Sequence, residues 1–360
     1  MNIQRKLTKQ ITVGGLTIGG DAPVRVQSMT NTKTSDAAAT IGQIKRLEGA
    51  GCDLIRVAVP DAASAAVVGE IKAGMTVPLI VDVHYDWHMA MAAMENGADC
   101  VRINPGNMLP ENIASVAAEA KRRGLAMRVG VNAGSLSRDL LAKFGHPSPE
   151  ALVASALQTI GVLEGAGLVN AKISVKASSV GATIDAYRLL SERTDYPLHI
   201  GVSEAGPLFA GTVKSSVGLG ILLAEGLGDT MRVSLTADPI EEVRVAREIL
   251  ASLGLLRKPE IISCPTCART DADLISLVAA VENELAGGDY PPIKIAIMGC
   301  VVNGPGEARE ADVGIAGGKG KGVLFKNGQI VRNVNDADYL TELMSEIDII
   351  AEEFKEHKDV

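Results

Sequence analysis

Short apolar runs rich in β-branched residues alternate with longer amphipathic stretches along the first 250 residues. The amphipathic stretches, such as 111–124 and 239–254, carry apolar residues at helical spacing and end in glycine, which is favoured just past a helix C-terminus. A strand followed by a helix, repeated eight times, predicts an α/β fold with a (β/α)₈ TIM barrel. The eight predicted strands are VRVQSM (24–29), DLIRVAV (53–59), PLIVDVH (78–84), CVRINPG (100–106), AMRVGVNAG (126–134), KISVKAS (172–178), LHIGVSEAG (198–206) and MRVSLT (231–236).

The segments before and after the eight strand–helix units have different sequence patterns. At the start, QITVGG and LTIGGD are two β-prone runs joined by Gly14-Gly15, which predicts a hairpin that caps the barrel. The barrel with its hairpin is expected to occupy residues 1–254, and 255–260 form a linker. Residues 261–360 are then predicted to form a small α+β domain with a helix, a strand, a Gly-rich stretch over 304–322, a hairpin-like segment and a polar terminal helix.

Composition narrows the class of protein. The net charge of −8 argues against a general nucleic-acid binder, which needs a basic surface. The first ten residues lack the apolar run of a signal peptide, and no stretch approaches the roughly 20 apolar residues that span a bilayer. We therefore expect a cytoplasmic metabolic enzyme with no membrane contact.

Cations lie on or directly after several predicted strands, where barrel enzymes carry their binding and catalytic residues. Any one of them could be a salt-bridge partner at the rim, but five at equivalent places in an acidic protein indicate a site for phosphate or diphosphate. Asn132 and Ser234 share strand faces with two of the cations, since side chains repeat every second residue. The predicted cations are Arg56, Arg102, Arg128, Lys176 and Arg232.

Four further polar residues in the same region could act as acids, bases or hydrogen-bond partners. They are Asp82, His84, His199 and Glu204, of which Glu204 is favoured. Each could equally be a structural group whose hydrogen bonds are satisfied in the barrel. Cys52 and Cys100 precede or begin strands, away from the predicted mouth, and are expected to be packed in the core.

The other cysteines have a different pattern. Cys264-Pro-Thr-Cys267 is a C-x-x-C motif, and Cys300 follows 33 residues later in MGCVVNGPGE. Such thiols can bind zinc, hold an iron–sulfur cluster or exchange a disulfide. A disulfide exchanger needs no third cysteine, and zinc lacks a nearby fourth ligand. A [4Fe–4S] cluster completed by an oxygen donor such as Glu307 is therefore favoured, with zinc, disulfide and packing roles left open.

The segments CPTCART and GCVVNGPGEA closely resemble the cluster-binding signature of 4-hydroxy-3-methylbut-2-enyl diphosphate synthases. VQSMTNT, LIRVAVP, VRINPGN, RVGVNAGS, SVKAS and LHIGVSEAG are similar to further blocks of that family in the expected order. The resemblance implies that Cys264, Cys267, Cys300 and Glu307 hold a [4Fe–4S] cluster. It also implies a two-domain bacterial form that acts as a homodimer, with the active site shared between chains.

The implied reaction opens 2-C-methyl-D-erythritol 2,4-cyclodiphosphate and removes a hydroxyl group in a two-electron reduction, with flavodoxin or ferredoxin as electron donor. Asp82, Glu204 and Glu307 are assigned catalytic roles. The substrate is assigned to the five cations with Asn132, His199, Ser234 and Asn303, the last in a tight turn before Glu307. The main alternative is a non-redox barrel enzyme, resembling pterin-binding synthases, with a zinc-stabilised C-terminal domain.

Overall fold

The computed structural model of the chain describes residues 3–270, 272–300, 310–318 and 320–356. The chain divides into two compact units, Met1–Leu255 and Leu256–Val360. No helix in these described ranges is long and apolar enough to cross a membrane.

Eight parallel strands form the sheet of the first unit, which confirms the predicted barrel. Their order is β8-β7-β6-β5-β4-β3-β10-β9, and an isolated parallel bridge from Ile173 to Leu198 joins the two ends. The last two strands are only two residues long. The strands are β3 (Arg25–Met29), β4 (Leu54–Ala58), β5 (Leu79–Val83), β6 (Cys100–Ile103), β7 (Ala126–Asn132), β8 (Ala171–Lys176), β9 (His199–Ile200) and β10 (Thr230–Met231).

Ten helices of the first unit connect these strands. Most of them begin at a side chain that caps the first turn, such as Asp36, Ser148 and Asp238, and three have proline in the first turn. The helices are α1 (Ala37–Gly49), α2 (Ala62–Ala66), α3 (Val68–Ala73), α4 (Trp87–Glu95), α5 (Pro110–Arg123), α6 (Arg138–Phe144), α7 (Pro149–Gly165), α8 (Val180–Arg193), α9 (Leu208–Ala224) and α10 (Pro239–Ser252).

The N-terminal hairpin consists of β1 (Ile11–Val13) and β2 (Leu16–Ile18), paired in antiparallel register. Gly14 and Gly15 between them have φ of 54° and 84°, values that glycine adopts without strain. The apolar residues of the hairpin pack on the first residues of several strands, including Leu54, Cys100 and Ala126. The hairpin thus closes the N-terminal end of the barrel, and the carboxyl ends of the strands are left for the site.

The described residues of the second unit form a five-stranded mixed sheet and two helices. Its strands follow the order β11-β12-β13-β14-β15, the first three parallel and the last two antiparallel. The core lies between this sheet and the helices. The elements are β11 (Glu260–Ser263), β12 (Lys294–Met298), β13 (Val313–Ala316), β14 (Lys321–Lys326), β15 (Gln329–Asn335), α11 (Leu274–Gly287) and α12 (Tyr339–Glu356).

Two of these strands differ from the sequence interpretation. β13 lies inside the Gly-rich stretch 304–322, for which no strand was predicted, and β11 begins at Glu260, the last residue of the expected linker. Each strand is only four residues long, so a short apolar run without clear periodicity is the sole local signal. Their parallel pairing to β12 is a long-range property that the local pattern does not contain.

Candidate active site

One row of charged residues crosses four adjacent barrel strands. Asp82 is in register with Arg102, Arg102 with Arg128, and Arg128 with Lys172. Side chains in register on neighbouring strands lie on the same face of a sheet, here the interior of the barrel. All four are buried, so their charges are held away from bulk water.

Asp82 is the acidic member of this row and pairs with two arginines. Its Oδ1 accepts a hydrogen bond from Arg102 Nη1 at 2.8 Å, and its Oδ2 lies 3.8 Å from Arg56 Nε. Burial opposes ionisation, but Arg56, His84 and Arg102 more than offset it and hold the pKa of Asp82 well below its usual range. Asp82 is therefore a permanent carboxylate that orients the arginines around it.

Lys176 and His199 form a second polar group at the end of β8 and on β9. Lys176 Nζ lies 3.3 Å from His199 Nε2, and His199 Nδ1 lies 2.9 Å from Thr230 Oγ1. Burial and then Lys176 and Arg128 lower the pKa of His199, so the ring is neutral. Burial and the neighbouring arginines also lower the pKa of Lys176, and its contact with Nε2 joins the lysine to the neutral ring.

Arg232 is neutralised by a residue that the sequence interpretation missed. Its guanidinium donates two hydrogen bonds of 3.0 Å to the carboxylate of Glu242, which also accepts from Ser28 Oγ at 2.9 Å. Glu242 lies in the first turn of α10, where acidic residues are common. Its spacing from the buried Ala246 and Ile249 does place it on the apolar face of α10, which could have revealed it.

The remaining cations lack carboxylate partners. Among the described residues, no ion pair is formed by Arg128, Lys172 or Lys176, although all three are buried. Arg128 Nη1 contacts only Gln27 Oε1, at 3.3 Å, and its Nε has no partner. Burial followed by Arg102 lowers the pKa of Arg128 to about 10. Buried cations without counter-charges are costly, which points to an anionic ligand in this part of the barrel.

Two glycines make room for these cations. A Cβ atom at Gly130 would lie 2.5 Å from Arg102 Nε, and one at Gly201 would lie 2.4 Å from Lys176 Nζ and 2.7 Å from the Arg232 carbonyl oxygen. Arg102 also donates to the Gly130 carbonyl at 2.9 Å. Any side chain larger than that of glycine at these two positions would therefore collide with Arg102 or Lys176.

Replacement of Gly201 with alanine tests this close approach. Because the backbone of Arg232 blocks one direction, the new methyl group has to displace Lys176. We expect affinity for a diphosphate ligand to fall about tenfold or more, as a charge-assisted hydrogen bond is lost. Calorimetric titration with inorganic diphosphate measures this, and Gly181→Ala, where no atom lies within 4 Å of the new Cβ, is the matched control. Equal affinities of G201A and wild type would contradict the prediction.

The other predicted barrel residues lie nearer to the outside. Asn132 at the end of β7 is half-buried and in register with Lys176. Ser234 is also half-buried, but it lies beyond the end of β10 rather than on a strand. Glu204 is exposed in the loop after β9, with φ of 52°, a conformation that costs energy for a residue with a Cβ. Such strain is found most often at functional sites.

The cysteines of the second unit lie at neighbouring strand ends. Cys264 directly follows β11, Cys300 follows β12 after one residue, and these strands are parallel with Ser263 opposite Ile297. Their carboxyl ends therefore meet at one edge of the sheet. Gly299 N donates to Cys264 Sγ at 3.2 Å, and Cys267 is exposed in the turn that follows β11.

Arg269 links the three thiols electrostatically. Its positive charge interacts with Cys267, Cys300 and Cys264, and these contacts raise its own pKa. Hydrogen bonds from the Arg269 backbone and side chain lower the pKa of Cys267. Since the thiolate is the metal-binding form, this environment prepares Cys267 for a metal.

Two predicted site residues, Asn303 and Glu307, lie outside the described residues. Within the described ranges, no three His, Cys, Asp or Glu side chains converge closely enough to hold a single metal ion. Thiolates are the usual ligands of iron–sulfur clusters, and Cys264, Cys267 and Cys300 all follow the carboxyl ends of two adjacent strands, so these residues fit such a group.

Models of known families cover both units of the chain. The GcpE TIM-barrel domain matches residues 8–247, and the GcpE protein C-terminal domain matches residues 260–349. The chain belongs to the GcpE family. Members of this family use an iron–sulfur cluster. The family resemblance read from the two cysteine segments is thus confirmed.

Curated relatives carry one enzyme name, 4-hydroxy-3-methylbut-2-en-1-yl diphosphate synthase (flavodoxin). The protein of Maridesulfovibrio salexigens is 54% identical over 98% of this chain and 99% of its own length. That of Geobacter sulfurreducens is 54% identical over 96% and 98%. These relatives support the reductase over a non-redox barrel enzyme with a zinc-stabilised domain.

A solved structure of another enzyme is similar to the barrel of this chain. Dihydropteroate synthase of Yersinia pestis aligns with a TM-score of 0.50 and 17% identity, over 68% of this chain and 98% of that protein. At this identity the likeness concerns the fold. It agrees with the eight-stranded parallel sheet described above.

Proposed function

We propose that the chain catalyses the reaction of its relatives, the reductive opening of 2-C-methyl-D-erythritol 2,4-cyclodiphosphate to (E)-4-hydroxy-3-methylbut-2-enyl diphosphate. The observation that carries the proposal is the excess of buried cations in the barrel. Arg102, Arg128, Lys172 and Lys176 are buried and Arg56 and Arg232 are partly buried, and among the described residues these six cations pair with only two carboxylates, Asp82 and Glu242. A doubly phosphorylated substrate supplies the missing negative charge.

The substrate diphosphate is assigned to Arg128 and Lys176, which have no carboxylate partner. Arg56 and Arg102 are held in place by Asp82, and Arg232 by Glu242, so their remaining donors are already oriented before binding. His199 fixes the position of Lys176 through their 3.3 Å contact. Asn132 and Ser234 add neutral hydrogen-bonding groups near the rim, and Asn303 is assigned to the substrate from the family resemblance.

Acid and base roles belong to different parts of the site. Glu204 is exposed in a strained loop at the carboxyl end of β9, where a carboxyl group can reach a bound substrate and exchange a proton. Asp82 stays ionised and affects the substrate indirectly, because its negative charge holds Arg56 and Arg102 in place. Glu204 is therefore the stronger candidate for proton transfer.

Cys264, Cys267 and Cys300 are proposed to hold a [4Fe–4S] cluster, with Glu307 as the fourth ligand. When bound, the cluster supplies the two electrons of the reduction one at a time. Among the described residues, the Gly299 N–H donates to Cys264, and such hydrogen bonds to cluster sulfurs raise the reduction potential. Flavodoxin, named for the relatives, is the proposed electron donor, with ferredoxin as its substitute.

A homodimer is proposed as the active form, with an active site that both chains share. Support comes from α9, where exposed apolar side chains recur every four residues and therefore lie on one face. Single exposed apolar residues are common, but a continuous stripe marks an interaction surface. The stripe consists of Phe209, which is 84% exposed, and Val213, Val217 and Ile221.

Replacement of Val217 with lysine places a charge in the middle of this stripe. We expect the variant to be monomeric in light scattering after gel filtration, because an unpaired charge in an apolar interface costs several kcal/mol. Val169→Lys is the control, since Val169 is also an exposed valine of the first unit but lies outside the stripe. A V217K dimer as stable as that of wild type would contradict the use of this surface.

The proposed reaction is tested with protein purified without oxygen. Iron, sulfide and zinc are measured first, and about four iron and four sulfide per chain are expected for one cluster. Turnover of the cyclic diphosphate is then followed by product analysis, with reduced flavodoxin as donor. Stoichiometric zinc without iron, or no turnover by protein with a full cluster, would refute the proposal.

A further inference from the structure

Lys172 is a buried cation in the barrel for which the proposed reaction has so far no role. It lies on β8, four residues before Lys176, and its side chain is fully buried. Its Nζ has no hydrogen-bond partner in the part of the chain that the structure describes. A lysine ammonium group has three donors and is strongly hydrated in water, so burial without a partner is a large cost.

Among the described residues, the buried polar atoms near Lys172 that lack a hydrogen-bond partner are all donors. Gln27 Nε2, Arg102 Nε and Arg128 Nε are buried without partners as well, and each of them is a donor. Arg128 connects this group, since it contacts Gln27 and is in register with both Arg102 and Lys172. An occupant rich in acceptor oxygens satisfies such a set, and the positive charges of Arg102, Arg128 and Lys172 favour an anion over water.

Electrostatics supports the same conclusion. Burial, with smaller contributions from Arg128 and Arg56, lowers the pKa of Lys172 to about 8, although Cys100 and Asp229 oppose this shift. Asp229 is already bound to Arg5 and Thr8, and Cys100 is a buried thiol with a raised pKa. No neighbouring group therefore compensates the charge of Lys172 as a carboxylate partner does.

We propose that Lys172 is a further substrate-binding residue, whose ammonium group donates to the diphosphate oxygens that Arg128 binds. The inference rests on the proposed function, since the cyclic diphosphate is taken as the ligand. Lys172 is next to Arg128 in the same register row and faces the interior of the barrel with it, so both side chains can approach a ligand bound at Arg128. Lys176 acts from four residues further along β8, toward the mouth.

Lys172→Met separates this role from a structural one. Methionine keeps the apolar stem and removes the charge, so the ligand-free protein should keep or raise its unfolding temperature. Affinity for the cyclic diphosphate should fall about 10- to 100-fold, because a charge-assisted hydrogen bond is lost. Inorganic diphosphate should lose affinity by a similar factor, since Lys172 contacts phosphate oxygens and not the carbon skeleton.

The experiment is calorimetric titration of the cluster-loaded wild type, K172M and K172Q with both ligands, together with thermal unfolding of each protein. Lys45→Met removes an exposed lysine of α1 and serves as the control. Weaker binding by K172M and K172Q with unchanged or higher stability supports the inference. Wild-type affinity in either variant, or a variant that is clearly less stable, overturns it. A wild type that does not bind the cyclic diphosphate but binds inorganic diphosphate through Lys172 would refute the proposed substrate alone.

Discussion

Replacement of Cys267 with serine is expected to yield a folded protein that contains almost no iron and has no measurable turnover. Cys267 is exposed in the turn after β11, so its side chain contributes little to the packing of the second unit. Its hydrogen bonds with Arg269 lower its pKa and favour the thiolate. Serine does not ionise under these conditions, and two remaining cysteines hold a cluster poorly.

The measurement is iron and sulfide content of anaerobically purified C267S, beside turnover and circular dichroism. Cys52→Ala is the matched control, because Cys52 is buried in the barrel, where its thiol hydrogen-bonds backbone carbonyl groups. C52A should keep about four iron per chain, whatever its stability. Wild-type iron and activity in C267S would show that this cysteine does not bind the cluster.

The barrel could be predicted from local sequence because its strands are short, apolar and separated by helices of regular period. All eight predicted runs overlap a strand, although β9 and β10 are only two residues long and β10 shares only Met231 with the predicted run 231–236. The sequence pattern predicts where an extended segment lies. The length of the strand depends on how many of its residues stay hydrogen-bonded to the adjacent strands. The closure of the sheet between Ile173 and Leu198 depends on residues that are distant in sequence.

The sequence predicts the types of residue in the candidate site, but it does not predict which of them form ion pairs or hydrogen bonds with each other. Period-two alternation correctly groups Arg128 with the interior of the barrel, and the same rule places Lys172 there with Lys176. Partners come from other elements, as Glu242 on α10 shows for Arg232. Among the described residues, Lys172 Nζ has no hydrogen-bond partner. This can be recognised only from the positions of all its neighbours in the folded chain, which a local sequence pattern does not give.

Replacement of Asp82 with asparagine is expected to destabilise the barrel by about 3–5 kcal/mol near neutral pH, because it leaves buried cations without their counter-charge. Asp82 Oδ1 accepts from Arg102 at 2.8 Å, and Arg56 lies 3.8 Å from Oδ2. With the carboxylate gone, the arginines face each other and the unpaired Arg128. The stability loss should exceed that of any exposed ion-pair deletion in the chain.

The effect of this substitution should depend on pH in a defined direction. Asp82 has a depressed pKa in the folded protein, so the unfolded chain binds a proton more readily there. Its contribution is therefore fully present above the unfolded value of about 3.9 and is lost progressively as the pH falls below it. The stability difference between wild type and D82N should shrink as the pH approaches about 3.

Urea unfolding followed by the fluorescence of Trp87 measures this difference. Trp87 is the only tryptophan of the chain and lies at the start of α4, so its signal reports on the barrel. Asp185→Asn is the control, since Asp185 is exposed and lies 3.6 Å from Arg188 on the surface of α8, where about 0–1 kcal/mol is expected. If D82N unfolded at the same urea concentration as D185N, the arginines would not depend on Asp82. The excess of positive charge from which the diphosphate site is inferred would then be tolerated without a ligand, and the main argument for that ligand would fail.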